Sequence, residues 1–175
     1  MQLNTKQIIA RIGETDQLFL QGNTPDLALE RAELRLQLVT LSLVRQEQIH
    51  FLQEAIVILE QSRLEFEEMP LQLYINLSLH LAKAYMLFFE ITKEKRYAII
   101  TKQIMKPMVN YGHGDILLFL AYAHASHDEP SMTRHWLGKY ASTTEFNLEL
   151  MQQHAAFEKY HALDWFKDLI KTKLH

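Results

Sequence analysis

The sequence predicts an all-α fold, a right-handed array of about seven or eight helices stacked as antiparallel hairpins. Three observations predict it. Leu41-Ser42, Leu81-Ala82 and Leu120-Ala121 repeat one local pattern at intervals of 40 and 39 residues. A large apolar residue beside a small one lets two helices approach closely, and recurrence at such a period marks stacked helical units. The 175 residues include only five glycines and four prolines, and the long intervals between them are rich in Leu, Ala, Glu, Gln and Lys, which favour helix. Finally, the run from Leu71 to Ile91 carries apolar residues on two helical faces, as a helix lying between neighbours requires.

The elements follow in order. Helices are expected near 5–20, 25–45, 47–67, 70–91, 95–106, 115–127, 131–141 and 144–171. Thr24-Pro25-Asp26 supplies an N-cap, a proline at the first helical position and an early acid, and Glu129-Pro130-Ser131 makes a similar start. Ser142-Thr-Thr-Glu145 fits a capping box, from which the last helix should run. The join at Arg45-Gln-Glu-Gln48 has neither Gly nor Pro, so one helix over 25–67 is the alternative to two. Leu71, Leu73, Ile75, Leu77, Leu79 and Leu81 alternate with Gln72, Tyr74, Asn76, Ser78 and His80, the period of a half-buried strand. Only Ile75 among those apolar residues is β-branched and no turn signal interrupts the run before Phe89, so helix is the expectation. The chain then reads as one domain, with an N-terminal helix and turn in 1–24, hairpin repeats in 25–141 and a closing helix in 142–175.

The repeats resemble tetratricopeptide-type helical hairpins. In that family the first helix of a unit carries a large residue, a small one and, three positions later, an aromatic or similar side chain. Leu81-Ala82 with Tyr85 matches this, Leu120-Ala121 with His124 matches in part, and Leu41-Ser42 with Arg45 least. Pro107 resembles the proline that closes a repeat. The resemblance covers residues 35–141; the family's period is shorter, and its tryptophan-like position holds Ser78 and Leu117 here. It implies a groove, lined by the inner helices, that takes an extended or helical peptide. Asn76, Lys83 and Met86 of the second unit and Asp115, Tyr122 and Ser126 of the third then fall on groove-facing positions.

Composition narrows the function classes. A formal charge of -3 argues against nucleic acid, which needs a concentrated basic face. With no cysteine there is no disulfide or thiolate nucleophile, in keeping with a cytoplasmic protein. The first residues lack the continuous apolar core of a signal peptide, since Arg11 interrupts it. The most apolar stretch, 81–89, is far short of the roughly 20 residues that span a bilayer, so no membrane role is expected. Glu54 to Glu68 holds five glutamates against Arg63, while Lys93 to Lys106 holds four lysines and Arg96 against Glu94. Runs of this kind orient a protein partner or a second copy of the chain. Aromatic residues gather at Tyr85, Phe88, Phe89 and Tyr97, then at Phe146, Phe157, Tyr160, Trp165 and Phe166, where core packing is the expected fate.

Two metal constellations compete with the binding role. His124 and His127 lie one helical turn apart, beside Asp128 and before His135; His127 equally suits a helix C-terminus, where it meets the dipole. Glu47-x-x-His50 and Glu158-x-x-His161 are two Glu-x-x-His motifs, and Glu30 or Glu33 with Glu90 supply further carboxylates, the ligand set of a di-iron bundle. There is no Gly-x-Ser-x-Gly elbow, glycine-rich phosphate loop or His-Glu-x-x-His helix. The sequence therefore favours a non-catalytic interaction module without a cofactor, an adaptor or chaperone-like peptide binder, over a metal-dependent helical enzyme.

Overall fold

The computed structural model describes residues 2–66 and 68–174. Among these residues the only regular structure is helical, and helices next to each other in sequence pack in pairs. The chain divides into two compact units, Met1–Lys93 and Glu94–His175.

The first unit contains α1 (Thr5–Gln21), α2 (Pro25–Leu41), α3 (Arg45–Glu65) and α4 (Leu71–Thr92). Asn4 and Gln7 form a capping box at the start of α1, each side chain accepting from the other's backbone N–H at 2.9 and 3.0 Å. As the sequence predicts, Thr24 caps α2, its hydroxyl accepting from the Leu27 N–H at 3.1 Å with Pro25 at the first position. Residues 25–65 form two helices rather than one, although no Gly or Pro separates them. The break is made by side chains. The Gln48 amide donates to the Val39 and Ser42 carbonyls at 3.2 and 2.9 Å, which satisfies acceptors that α2 leaves open at its end. The Ser42 hydroxyl accepts from the Val44 N–H at 3.1 Å and donates to Glu47 at 2.9 Å. The expected end of the third helix at residue 67 lies outside the described residues; α3 ends at Glu65.

The alternating run is helical, as expected. α4 buries Ile75, Leu77, Ser78, Leu79, Leu81, Ala82, Ala84, Tyr85, Met86 and Phe88, more than one face of the helix. Its neighbours α2 and α3 meet it, and the Tyr85 hydroxyl donates to Glu60 of α3. α2 is the innermost helix of this unit, in contact with α1, α3 and α4. Ala28 and Ala32 on it are fully buried, which allows the close approach. Leu81-Ala82 and Leu120-Ala121 are likewise buried completely, but Leu41 is 42% exposed at the end of α2 and Ser42 lies in the turn. The first of the three repeated pairs is thus a helix end and not a packing seam.

The second unit contains α5 (Arg96–Met105), a 3-10 turn over Lys106–Tyr111, α6 (Gly114–Ser126), α7 (Pro130–Tyr140), α8 (Leu148–Gln153), a second 3-10 turn over Ala155–Tyr160, and α9 (Asp164–Leu174). α6 buries nearly its whole circumference, with α5 and α7 packed on it. Gly114 opens α6 and must be glycine, because a Cβ there would meet Thr143 Oγ1 at 2.6 Å and Glu145 Cβ at 2.9 Å. The single closing helix expected over 144–171 is instead three short segments. Residues 141–147 turn back to Gly114, and Asn147 starts α8 by accepting from the Leu150 N–H at 2.9 Å while its own N–H donates to the Tyr140 hydroxyl at 3.0 Å. His154 then interrupts, accepting from the Ala156 N–H at 3.2 Å. The Ser142 to Glu145 capping box does not form; Thr143 donates to the Tyr140 carbonyl and so stays with the end of α7.

Candidate functional site

A concave surface of the first unit is a groove of about 470 Å³ that runs over α2 between α1 and α3, within the range of volumes typical of ligand sites. Arg31 and Arg35 of α2 lie one helical turn apart and reach it from the floor. Phe19 of α1 forms one wall. His50, Glu54, Val57 and Gln61 of α3, spaced by three or four residues, share the face that forms the other.

The two arginines are held differently. Arg35 is buried, and each of its three nitrogens donates: Nε to Glu54 at 2.8 Å, Nη1 to the Arg31 carbonyl at 3.1 Å, and Nη2 to both carboxylate oxygens of Asp16 at 3.4 Å. It therefore ties α1, α2 and α3 together. Arg31 gives Nε to Asp16 at 3.2 Å and lies over the Phe19 ring at 4.2 Å. No described residue accepts from its two Nη nitrogens. Glu54 also faces His50, 3.3 Å away.

In the second unit the polar residues of the α6–α7 corner are gathered on one another. Lys102 of α5 donates to Glu129 at 2.6 Å and lies 2.8 Å from His127 Nδ1, which is itself 3.2 Å from Glu129. His124 Nδ1 donates to the same Glu129 oxygen at 3.0 Å. Burial pushes the His124 pKa down, a shift partly opposed by Glu129, and the Lys102 hydrogen bond leads the causes that hold Glu129 below the usual carboxylate range. Asp128 adopts the left-handed conformation, φ 56°, and pairs with Lys159 and Lys95 at 2.8 and 3.0 Å. Those two lysines lower its pKa to about 2. Here donors and acceptors satisfy each other, so the corner is a fastening for α5, α6, α7 and the second 3-10 turn.

The residues singled out in the sequence are dispersed. Asn76 is half-buried and accepts from Gln72 at 3.2 Å along α4, and Lys83 is exposed on the same helix. Met86 is buried, so it packs the interior and presents nothing to a ligand. Asp115 lies in the first turn of α6 with its N–H on His113 Nδ1 at 3.2 Å, and Ser126 is half-buried at the end of that helix. Tyr122 is buried, edge-on to the His154 ring with centroids 4.3 Å apart. The carboxylate and imidazole set is divided between the two units. Glu47 accepts from Ser42, His50 faces Glu54, and both belong with Glu90 to the first unit, whereas Glu158 and His161 are exposed in the second. Among the described residues no three His, Asp or Glu side chains gather so as to hold a metal ion, the His124 corner included.

Sequence reasoning passed over Arg31, Arg35 and Glu54. The available signal was two arginines at i and i+4 on α2, a helix otherwise committed to the interior through Ala28, Ala32, Leu34, Leu36, Leu38 and Val39. Compared with known protein families, with curated proteins and with solved structures, this chain matches none.

Proposed function

We propose that the protein is a non-catalytic interaction module, an adaptor or chaperone-like binder that holds a peptide segment of a cytoplasmic protein partner in the groove over α2. The tetratricopeptide-like reading of the sequence belongs to the same proposal, with α2 as the inner helix of a hairpin pair whose outer partner is α3. One observation carries it. The groove combines apolar side chains that water leaves readily, Phe19 at 41% and Val57 at 52% exposure, with unspent donors on Arg31. Peptide grooves need both, apolar contact for affinity and a few fixed polar groups for register.

Selection from a random 12-residue phage library tests it. Wild-type protein should enrich peptides that Val57→Glu protein fails to retain, while the variant keeps wild-type thermal stability because residue 57 is exposed. A library that enriches nothing, or enriches peptides indifferent to residue 57, overturns the reading.

A further inference from the structure

Granting that groove as a peptide site, we propose that Arg31 makes it selective for a carboxylate: the segment bound carries an acidic side chain next to an apolar one. A guanidinium has five N–H donors in a planar fork. Arg35 distributes its donors over Glu54, Asp16 and a backbone carbonyl, whereas Arg31 has spent one, on Asp16. The two carboxylates of the floor balance the two arginines in charge but not in contacts. Glu54 takes Arg35 at 2.8 Å, and Asp16 is shared between the two arginines at 3.2 and 3.4 Å.

Arg31 is consequently the under-coordinated cation of the pair. Its side chain is only 12% exposed, so the fork is held and not free to sweep through solvent. The Phe19 ring lies 4.2 Å from its guanidinium carbon and restrains it by a cation–π contact, which reduces the entropy that a mobile arginine loses on engaging a ligand. The two oxygens of a carboxylate match two parallel N–H donors. Val57 on the opposite wall offers the apolar contact beside it.

The phage selection reads this directly. Peptides enriched on wild-type protein should carry Asp or Glu adjacent to an aliphatic or aromatic residue, and Arg31→Gln protein should enrich peptides that keep the apolar residue and lose the acid. The best wild-type binder, resynthesised with its acid replaced by the matching amide, should bind at least about tenfold more weakly. Enriched peptides without an excess of acids, or an amide peptide of equal affinity, overturn the selectivity and leave the groove standing. A groove that enriches no peptide removes both. A dimer of this chain that Val57→Glu dissolves would assign the groove to a second copy and overturn the peptide as occupant.

Discussion

Glu54 of α3 accepts from Arg35 of α2 at 2.8 Å, and the same guanidinium reaches Asp16 of α1 on its other edge. Each carboxylate is 19 residues from the arginine, one before it and one after. Three helices thus depend on one side chain, 6% exposed, whose partners are 38% and 43% exposed. Arg35→Ala should lower unfolding free energy by about 2 kcal/mol: breaking a wholly buried pair costs more, but water can reach both carboxylates left behind. Arg35→Met restores the aliphatic stem and should recover part of that loss. Urea denaturation of the three proteins measures both values, and an Arg35→Ala midpoint equal to wild type would deny the residue its tying role.

Gly114→Ala carries the opposite sign from the usual helix rule. Alanine ordinarily improves a helix by about 1 kcal/mol over glycine. Here the added methyl meets Thr143 Oγ1 and Glu145 Cβ at 2.6 and 2.9 Å. Neither can yield cheaply, since the Thr143 hydroxyl is bound to the Tyr140 carbonyl and a Cβ moves only with its backbone. The variant should be destabilised by about 1–3 kcal/mol, and calorimetry should show a lower Tm; a raised Tm would mean that residues 143–145 do not lie against α6.

Acid should weaken the second unit in two stages. Burial pushes the His124 pKa below its ordinary 6.5, so the folded state binds fewer protons than the unfolded one. Its contribution to stability is complete above about pH 6.5 and is lost as the pH falls through the folded value. Asp128 and Glu129 are also lowered, Asp128 to about 2, by lysines that bond them. Their contributions are present above the ordinary carboxylate range and are lost only in stronger acid. Between about pH 7.5 and about pH 5.5, then, wild-type stability should decline while His124→Gln, which cannot protonate, shows a flatter profile. Denaturant midpoints across that interval decide; parallel profiles would place the titration elsewhere.

The parts of the fold that were legible are those written in neighbouring residues. Thr24-Pro25 starts α2 because a hydroxyl reaches an N–H three residues on. Leu81-Ala82 and Leu120-Ala121 mark buried seams, whereas the same pattern at Leu41-Ser42 is a helix end, so the pair is informative only inside a helix. The closing helix was misread because Asn147 and His154 look compatible with a continuous helix until Tyr140 is seen to accept from one backbone and Tyr122 to meet the other ring edge-on. The Glu47 and His50 spacing shows one helical face but not what meets it: in the structure Glu47 accepts from Ser42 and His50 faces Glu54. The groove was illegible because its floor depends on Asp16, Arg35 and Glu54 meeting across three helices.

The turn held by Gln48 and Ser42 bears on how this chain meets copies of itself. With neither glycine nor proline at the corner, nothing in the backbone forbids residues 25–65 from running straight as a single rod of about 60 Å. Replacing the amide at position 48 would leave the apolar faces of α2 and α3 intact while removing two of the hydrogen bonds that hold the corner, and a hinge weakened in this way is where exchange of an element between two copies can begin.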